Sequence, residues 1–173
     1  MQRRGWLQLG AALAVLTAGG VGWGVYRWPA ARVGGHFQPD TSAVLVAAGR
    51  AVLDGLLPEQ QPLADLAIQR WLQRLEDTVA ALPPATQAEL DLLFGALTQP
   101  VARAALTGAV VDWASAPTAD LQRLLQQLRT SVLAERQQVY HALRDLSTAA
   151  YLADADTWRF VGYPGPALRF ESA

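Results

Sequence analysis

Apolar side chains recur every three or four residues over most of the chain after Asp40, which is the spacing of amphipathic helices. The clearest stretch runs from about Pro62 to Leu82, where apolar residues alternate by four and three along one face. Similar spacing follows Pro84, recurs in a short apolar segment from Val101 to about Trp113, and continues from Thr118 to Ala153. No alternation typical of a strand extends beyond four residues. The pattern predicts an all-α fold, an irregular or orthogonal bundle of about six helices.

Prolines and polar caps predict where these helices begin and end. Asp40–Ser42 offer side-chain oxygens that favour a helix start, and Pro58 is expected to close that first helix. Thr86–Glu89 resembles a capping box, in which two side chains satisfy free backbone N–H groups. The stretch Thr118–Ala153 is longer than most helices of globular proteins, so we expect a break near Thr130–Ser131.

The first residues have a different pattern. Arg3 and Arg4 precede Trp6 and Leu7, and an uncharged run rich in Ala and Gly continues to Tyr26. A basic start before an apolar run is the layout of an export signal, and the adjacent arginines indicate the twin-arginine type. The run is also long enough to cross a bilayer, for which about 20 residues suffice. It therefore predicts a cleaved signal or a retained anchor, and in both cases the periplasmic side of a bacterial inner membrane.

Residues 30–39 contain two glycines and end in Pro39, and they predict a linker after this leader. We expect residues 1–35 to form the signal or anchor with its linker, and residues 36–173 to form one helical domain. The first part carries four arginines and no acid, whereas the second carries ten arginines and fifteen acids. A mildly acidic domain without a basic cluster argues against binding of nucleic acid.

Candidate catalytic groups are few. The chain has no cysteine, which excludes disulfides, thiol nucleophiles, iron–sulfur clusters and covalently attached haem. His36, in the predicted linker, and His141, on the last long helix, show no metal-ligand spacing, although a pair of axial haem ligands is conceivable. Asp154 and Asp156 form a weak candidate carboxylate pair, and capping of a short turn that begins at Thr157 is the simpler interpretation. The sequence therefore predicts no catalytic residue, no bound cofactor and no metal site in this chain; an enzyme or haem carrier is the third hypothesis.

The segment from Tyr151 to Pro166, the aromatic tail, is unusual in a helical protein because it combines four aromatic residues with a Pro/Gly-rich end. Pro164 fixes its own φ and restricts Tyr163, and Gly165 can take a positive φ, so we expect a rigid turn. The rings either fill the base of the bundle or anchor a partner protein, since Tyr and Trp are favoured at interface hot spots. The predicted docking residues are Tyr151, Trp158, Phe160, Gly162, Tyr163, Pro164, Gly165 and Pro166.

Together with Leu82-Pro83-Pro84, this tail resembles the gluconate 2-dehydrogenase subunit 3 family. The matching tail residues are Tyr151, Asp154, Trp158 and Gly162-Tyr163-Pro164-Gly165-Pro166. Many relatives carry a second tyrosine where this chain has Leu152. The resemblance covers most of residues 40–166, and only the tail is specific to the family; a twin-arginine leader is also common among its members.

The resemblance implies a non-catalytic small subunit of a flavin-containing dehydrogenase of the glucose–methanol–choline type. In such complexes the large subunit oxidises an alcohol or sugar acid with FAD, and electrons pass to a cytochrome c subunit or to a quinone. The small subunit binds the folded flavoprotein and lends it an export signal. The resemblance thus implies FAD in a partner subunit and, where the acceptor is a cytochrome, haem c in a third subunit. The alternative is a stand-alone, membrane-tethered helical scaffold that binds another envelope protein.

Overall fold

The computed structural model describes residues 29–165, and over this range the protein is all-α apart from one short hairpin. Arg3, Arg4, Trp6 and Leu7 of the predicted export signal, and Pro166 of the tail, lie outside the described residues. In chain order the elements are β1 (Arg32–Val33), β2 (His36–Phe37), α1 (Pro39–Val52), α2 (Gln61–Ala80), α3 (Pro84–Thr98), α4 (Pro100–Thr107), α5 (Thr118–Arg129), α6 (Ala134–Leu152) and a 3₁₀ helix (Ala155–Val161).

Proline, and not a polar cap, marks the start of most of these helices. A proline occupies the first or second position of α1 to α4, where its fixed φ suits the helix and its missing N–H costs nothing. The predicted start near Asp40 is thus one residue late. The predicted capping box at Thr86–Glu89 is wrong, because α3 begins at Pro84 and has no side-chain cap. Gln87 instead donates hydrogen bonds from Nε2 to the carbonyls of Ala80 and Leu82, which close the end of α2.

Helix α1 lies at the centre of the bundle and packs against α2, α3, α5 and α6. Its contact with α2 is close at Gly49, which lies against the indole of Trp71; a Cβ at Gly49 would come 2.5 Å from that ring. Trp71 is 1% exposed, and its Nε1 donates to the carbonyl of Ser147 on α6 at 3.0 Å. One buried tryptophan therefore joins three helices.

The expected break near Thr130–Ser131 is confirmed, since α5 ends at Arg129 and α6 begins at Ala134.

The predicted helix Val101–Trp113 is shorter than expected. Helix α4 ends at Thr107 because Gly108 adopts a left-handed conformation, with φ +76°. The chain then returns over Arg103, a charged residue that is only 5% exposed. Its guanidinium donates to the carbonyl of Leu97 at 2.9 Å and to that of Val111 at 2.8 Å. Arg103 thereby satisfies a free carbonyl at the end of α3 and holds the loop that follows α4.

Residues 30–39, predicted as a linker, form an ordered hairpin that packs on the bundle. Val33 pairs with His36 across a two-residue turn in which Gly34 and Gly35 both have positive φ, a conformation that glycine adopts without steric cost. Phe37 is buried, and its ring meets Phe94 edge-on at 5.7 Å. The hairpin therefore belongs to the folded body of the protein.

Two polar contacts fix the hairpin to helices that follow it much later in the chain. Arg32 forms a bidentate ion pair with Asp91 of α3, at 2.7 and 3.0 Å. Glu76 of α2 accepts the backbone N–H of Phe37 at 2.7 Å and lies 3.1 Å from Nδ1 of His36. His36, which was expected to lie in a linker, is thus held at the surface by a carboxylate.

Within residues 29–165 no helix is long and apolar enough to cross a membrane. The apolar run that predicts an export signal or anchor lies before this range.

Candidate functional site

The aromatic tail supplies hydrogen-bond donors to the C-terminal end of α6. The last carbonyls of a helix have no partner within it and need donors from elsewhere. Here the Thr157 hydroxyl donates to the carbonyl of Tyr151 at 2.8 Å, and Nε1 of Trp158 donates to that of Leu152 at 2.8 Å. The tail is therefore bonded back onto the helix that precedes it.

Asp154 directs the turn between α6 and the 3₁₀ helix. Its Oδ1 accepts the backbone N–H of Asp156 at 3.0 Å, which makes Asp154 the N-cap of the 3₁₀ helix and confirms the capping interpretation of these acids. Its Oδ2 pairs with Arg74 of α2 at 2.9 Å. Arg74 also donates from Nε to the carbonyl of Ala150 at 3.1 Å. One arginine thus clamps both the end of α6 and the start of the tail.

Gly162 ends the 3₁₀ helix in a Schellman motif. It has φ +70°, and its N–H bonds to the carbonyl of Arg159, while the N–H of Tyr163 bonds to that of Trp158 at 3.0 Å. The reversal brings the Tyr163 ring edge-on to Trp158, with centroids 5.3 Å apart. Gly165 has φ +94°, as expected, and a Cβ there would lie 3.9 Å from the six-membered ring of Trp158. The turn is thus wrapped around one indole.

The aromatic rings of the tail serve both roles that the sequence left open, since some fill the base of the bundle and others are exposed to a partner. Tyr151 is 2% exposed and Trp158 is half-buried, so these two fill the base of the bundle. Phe160 is 43% and Tyr163 49% exposed, and Val161 beside them is 45% exposed. This rigid segment presents four side chains outward, and we call them the docking face: Arg159, Phe160, Val161 and Tyr163.

The predicted docking residues therefore have different roles. Tyr151 lies in the core and is not available to a partner while the protein is folded, and Trp158 supports the rings around it. Gly162 and Gly165 provide backbone conformations. Phe160, Tyr163 and Pro164 present exposed side chains, and the backbone of Gly162 is exposed beside them.

The electrostatics around Tyr151 follow from its burial. Desolvation of the phenol raises the pKa of Tyr151 above its usual value; the nearby Arg74 lowers it, and the Asp154 carboxylate raises it. The hydroxyl donates to the carbonyl of Leu56, in the loop between α1 and α2. The phenol is thus held in its neutral form as a structural donor.

The candidate chemical groups are not brought together. His36 lies on the hairpin, and His141 is exposed on α6, where its ring stacks edge-on with Tyr140. Among residues 29–165 no group of His, Asp and Glu side chains could hold a metal ion. The arrangement that the described residues do provide is an exposed aromatic surface on a rigid frame.

Three residues of this region were not identified from the sequence. Arg74 lies off the apolar stripe of α2, and only its position in the fold shows that it clamps the tail. Val161 and Arg159 adjoin the predicted aromatic residues, and their place on either side of Phe160 in the sequence is the signal that would have identified them.

Comparison of the chain with family models, with curated proteins and with solved structures finds no match. The family resemblance of the tail therefore stays a prediction that depends on the residues quoted for it.

Proposed function

We propose that this chain is the non-catalytic small subunit of a membrane-associated periplasmic flavoprotein dehydrogenase. Its docking face binds the FAD-bearing large subunit, which oxidises an alcohol, a sugar or a sugar acid. The chain aids the export, assembly and stability of that subunit. The observation that carries the proposal is the rigid presentation of Phe160 and Tyr163 to solvent by a hydrogen-bonded frame.

Rigid exposed aromatic residues favour an interface for two reasons. Each buries a large apolar area when a partner covers it, and each loses little conformational entropy because its frame is already ordered. The tail is bonded to α6 by Thr157 and Trp158 and to α2 by Arg74, so docking does not require it to fold first.

The N-terminal segment provides the other part of the proposal. In this account Arg3 and Arg4 engage the twin-arginine export machinery, which transports folded proteins and could carry a bound, flavin-loaded subunit. The complex then lies on the periplasmic side of the inner membrane, anchored by the leader or released after cleavage. The expected electron acceptor is a cytochrome c subunit with its haem, or a quinone. The flavin and haem chemistry belongs to the other subunits.

The test is purification of the tagged chain from detergent-solubilised native membranes, with a visible spectrum and mass spectrometry of the eluate. The proposal expects a near-stoichiometric partner with flavin absorption. The double variant Phe160→Ala/Tyr163→Ala is expected to lose at least about 90% of that partner, because both side chains belong to the proposed interface. The matched control is Val101→Ala/Val110→Ala, which removes two apolar side chains that are 82% and 90% exposed elsewhere.

Three outcomes of this purification distinguish the hypotheses. Loss of the flavoprotein in the tail variant alone supports the proposal. A colourless eluate with a different stoichiometric partner favours the stand-alone tethered scaffold. A flavoprotein retained equally by both variants would overturn the docking face while leaving the subunit assignment in place.

A further inference from the structure

Arg159 occupies an unusual position on the docking face. Its guanidinium carbon lies 4.8 Å from the centroid of the Phe160 ring, within the range of a cation–π contact. The side chain is exposed, and no described residue accepts a hydrogen bond from it. The other arginine of this region, Arg74, is already bonded to Asp154 and to the end of α6. Arg159 is thus a positive charge placed directly on the apolar surface.

Any partner that covers the Phe160 ring must also cover this guanidinium. Removing an arginine from water without giving it an acceptor costs several kcal/mol, more than the burial of one aromatic ring returns. The partner must therefore supply an acceptor, and a carboxylate is the group whose two oxygens match the planar guanidinium. We infer that the docking face takes a protein surface with an apolar pocket and a carboxylate at its rim, and that Arg159 selects it. This inference rests on the proposed function and names the chemistry of its partner.

The local charges favour a protein carboxylate over a phosphate-rich surface. From Asp154 to Gly165 the chain carries two acids and one arginine, and Asp156 remains exposed within this segment. Nucleic acids and anionic lipid surfaces are bound by clusters of basic residues, which this segment does not have. A single arginine beside aromatic rings is instead the composition of a protein–protein hot spot.

The absence of lysine from the chain allows a direct test. All 14 basic residues are arginine, so Arg159→Lys introduces the one side-chain amine of the protein. A carbodiimide joins an amine to a carboxylate only when the two are in contact. In the complex purified with its flavoprotein, we expect a crosslinked peptide that joins position 159 to an Asp or Glu of the partner. The control is Arg70→Lys, an exposed position on α2, which is expected to give no such peptide.

Affinity provides the second readout, measured by titration of the purified flavoprotein onto immobilised chain. Arg159→Glu is expected to weaken binding by about 30-fold or more, since it leaves two carboxylates facing each other in a desolvated site. Arg70→Glu is expected to stay within about threefold of the unmodified chain. Thermal unfolding of each free variant checks that the fold is retained.

Several results would overturn the inference. An affinity of Arg159→Glu equal to that of the unmodified chain would overturn the role of Arg159. If Phe160→Ala/Tyr163→Ala still abolished binding in that case, the proposed function would stand without a role for Arg159. A crosslink from position 159 to an acid of the same chain outside the 3₁₀ helix and its cap would mean that the chain covers its own arginine. A crosslinked homodimer would identify a second copy as the occupant. If neither the arginine nor the aromatic variants changed binding, the docking face itself would be wrong.

Discussion

At the scale of single residues, Tyr151 shows how one side chain can match a sequence motif and yet serve the fold. It is the first residue of the tail motif, and it lies in the core with its hydroxyl bonded to the loop between α1 and α2. Its raised pKa comes mainly from desolvation by burial, opposed by Arg74 and reinforced by Asp154. This position has a consequence for stability at alkaline pH.

Replacement of Tyr151 by Phe tests that consequence. In the unfolded chain the phenol ionises near pH ~10, whereas the folded protein keeps the proton to a higher pH. Above pH ~10 the folded state therefore binds more protons than the unfolded state, and the free energy of unfolding falls as the pH rises. Tyr151→Phe should remove this fall, and it should cost about 1 kcal/mol at pH ~7 through the lost hydrogen bond.

Urea denaturation between pH ~7 and pH ~11 measures both effects. Tyr163→Phe, a change at an exposed ring, is the control and should keep the alkaline loss of the unmodified protein. An equal alkaline loss in Tyr151→Phe would assign it to other groups.

Residues of the tail also show how far single positions could be predicted. One of Asp154 and Asp156 was expected to cap a short turn, and Asp154 does so, because capping is a local interaction within two residues. Its ion pair with Arg74 joins positions 80 residues apart, and no local pattern indicates it. Which rings of the tail are exposed likewise depends on which of them pack against the end of α6, and no local pattern indicates that packing.

At the scale of elements, the packing of α1 on α2 depends on a glycine within a helix. Glycine usually weakens a helix interior by about 1 kcal/mol relative to alanine, so Gly49 needs a packing reason. That reason is the Trp71 ring, which lies where a Cβ would be. Gly49 therefore allows α1 and α2 to pack closely at this point.

Substitution Gly49→Ala should destabilise the protein by about 2 kcal/mol despite the better helix propensity of alanine, because a buried indole cannot move away without disturbing the core. Equilibrium denaturation of Gly49→Ala, Trp71→Phe and the double variant forms a cycle. The added methyl group should cost less in the Trp71→Phe background, where the ring is smaller. If Gly49→Ala alone raised stability, the close contact would not be a constraint.

The helices themselves were predicted well and their ends less well. The apolar spacing identified all the long helices, since the side chains that face the core recur with the helical period. The start of α1 was assigned to a polar cap near Asp40, whereas the helix begins at Pro39. The start of α3 after Pro83-Pro84 was expected, but the capping box at Thr86 does not form. The length of α4 was overestimated because Gly108 was not considered as a stop signal.

At the scale of the whole molecule, the hairpin extends the folded body toward the N-terminus. Residues 30–39 were predicted as a linker, and instead they bury Phe37 and bind α2 and α3. A chain that begins at residue 29 is therefore expected to be more stable than one that begins at residue 39.

The expected difference is about 3 kcal/mol, from the loss of one buried phenylalanine and of the hydrogen bond to Glu76. Denaturant unfolding of the two purified fragments measures it. Val33→Ala in the longer fragment is the control, and this exposed position should change stability by no more than about 0.5 kcal/mol. Equal stability of the two fragments would contradict a structural role for the hairpin and restore the linker interpretation.

The sequence by itself determined the all-α class, the number of major helices and the turn at the tail, because these depend on interactions within a few residues. Helical periodicity, proline and glycine act on the backbone locally and are visible in any short window of the chain. Only the tertiary structure decided that the hairpin is ordered, that Tyr151 is core and that Phe160 and Tyr163 face solvent. Those outcomes depend on Glu76, Asp91 and Arg74, whose partners lie about 40 to 80 residues away. A contact of that range requires the helices to be assembled before its two ends can meet.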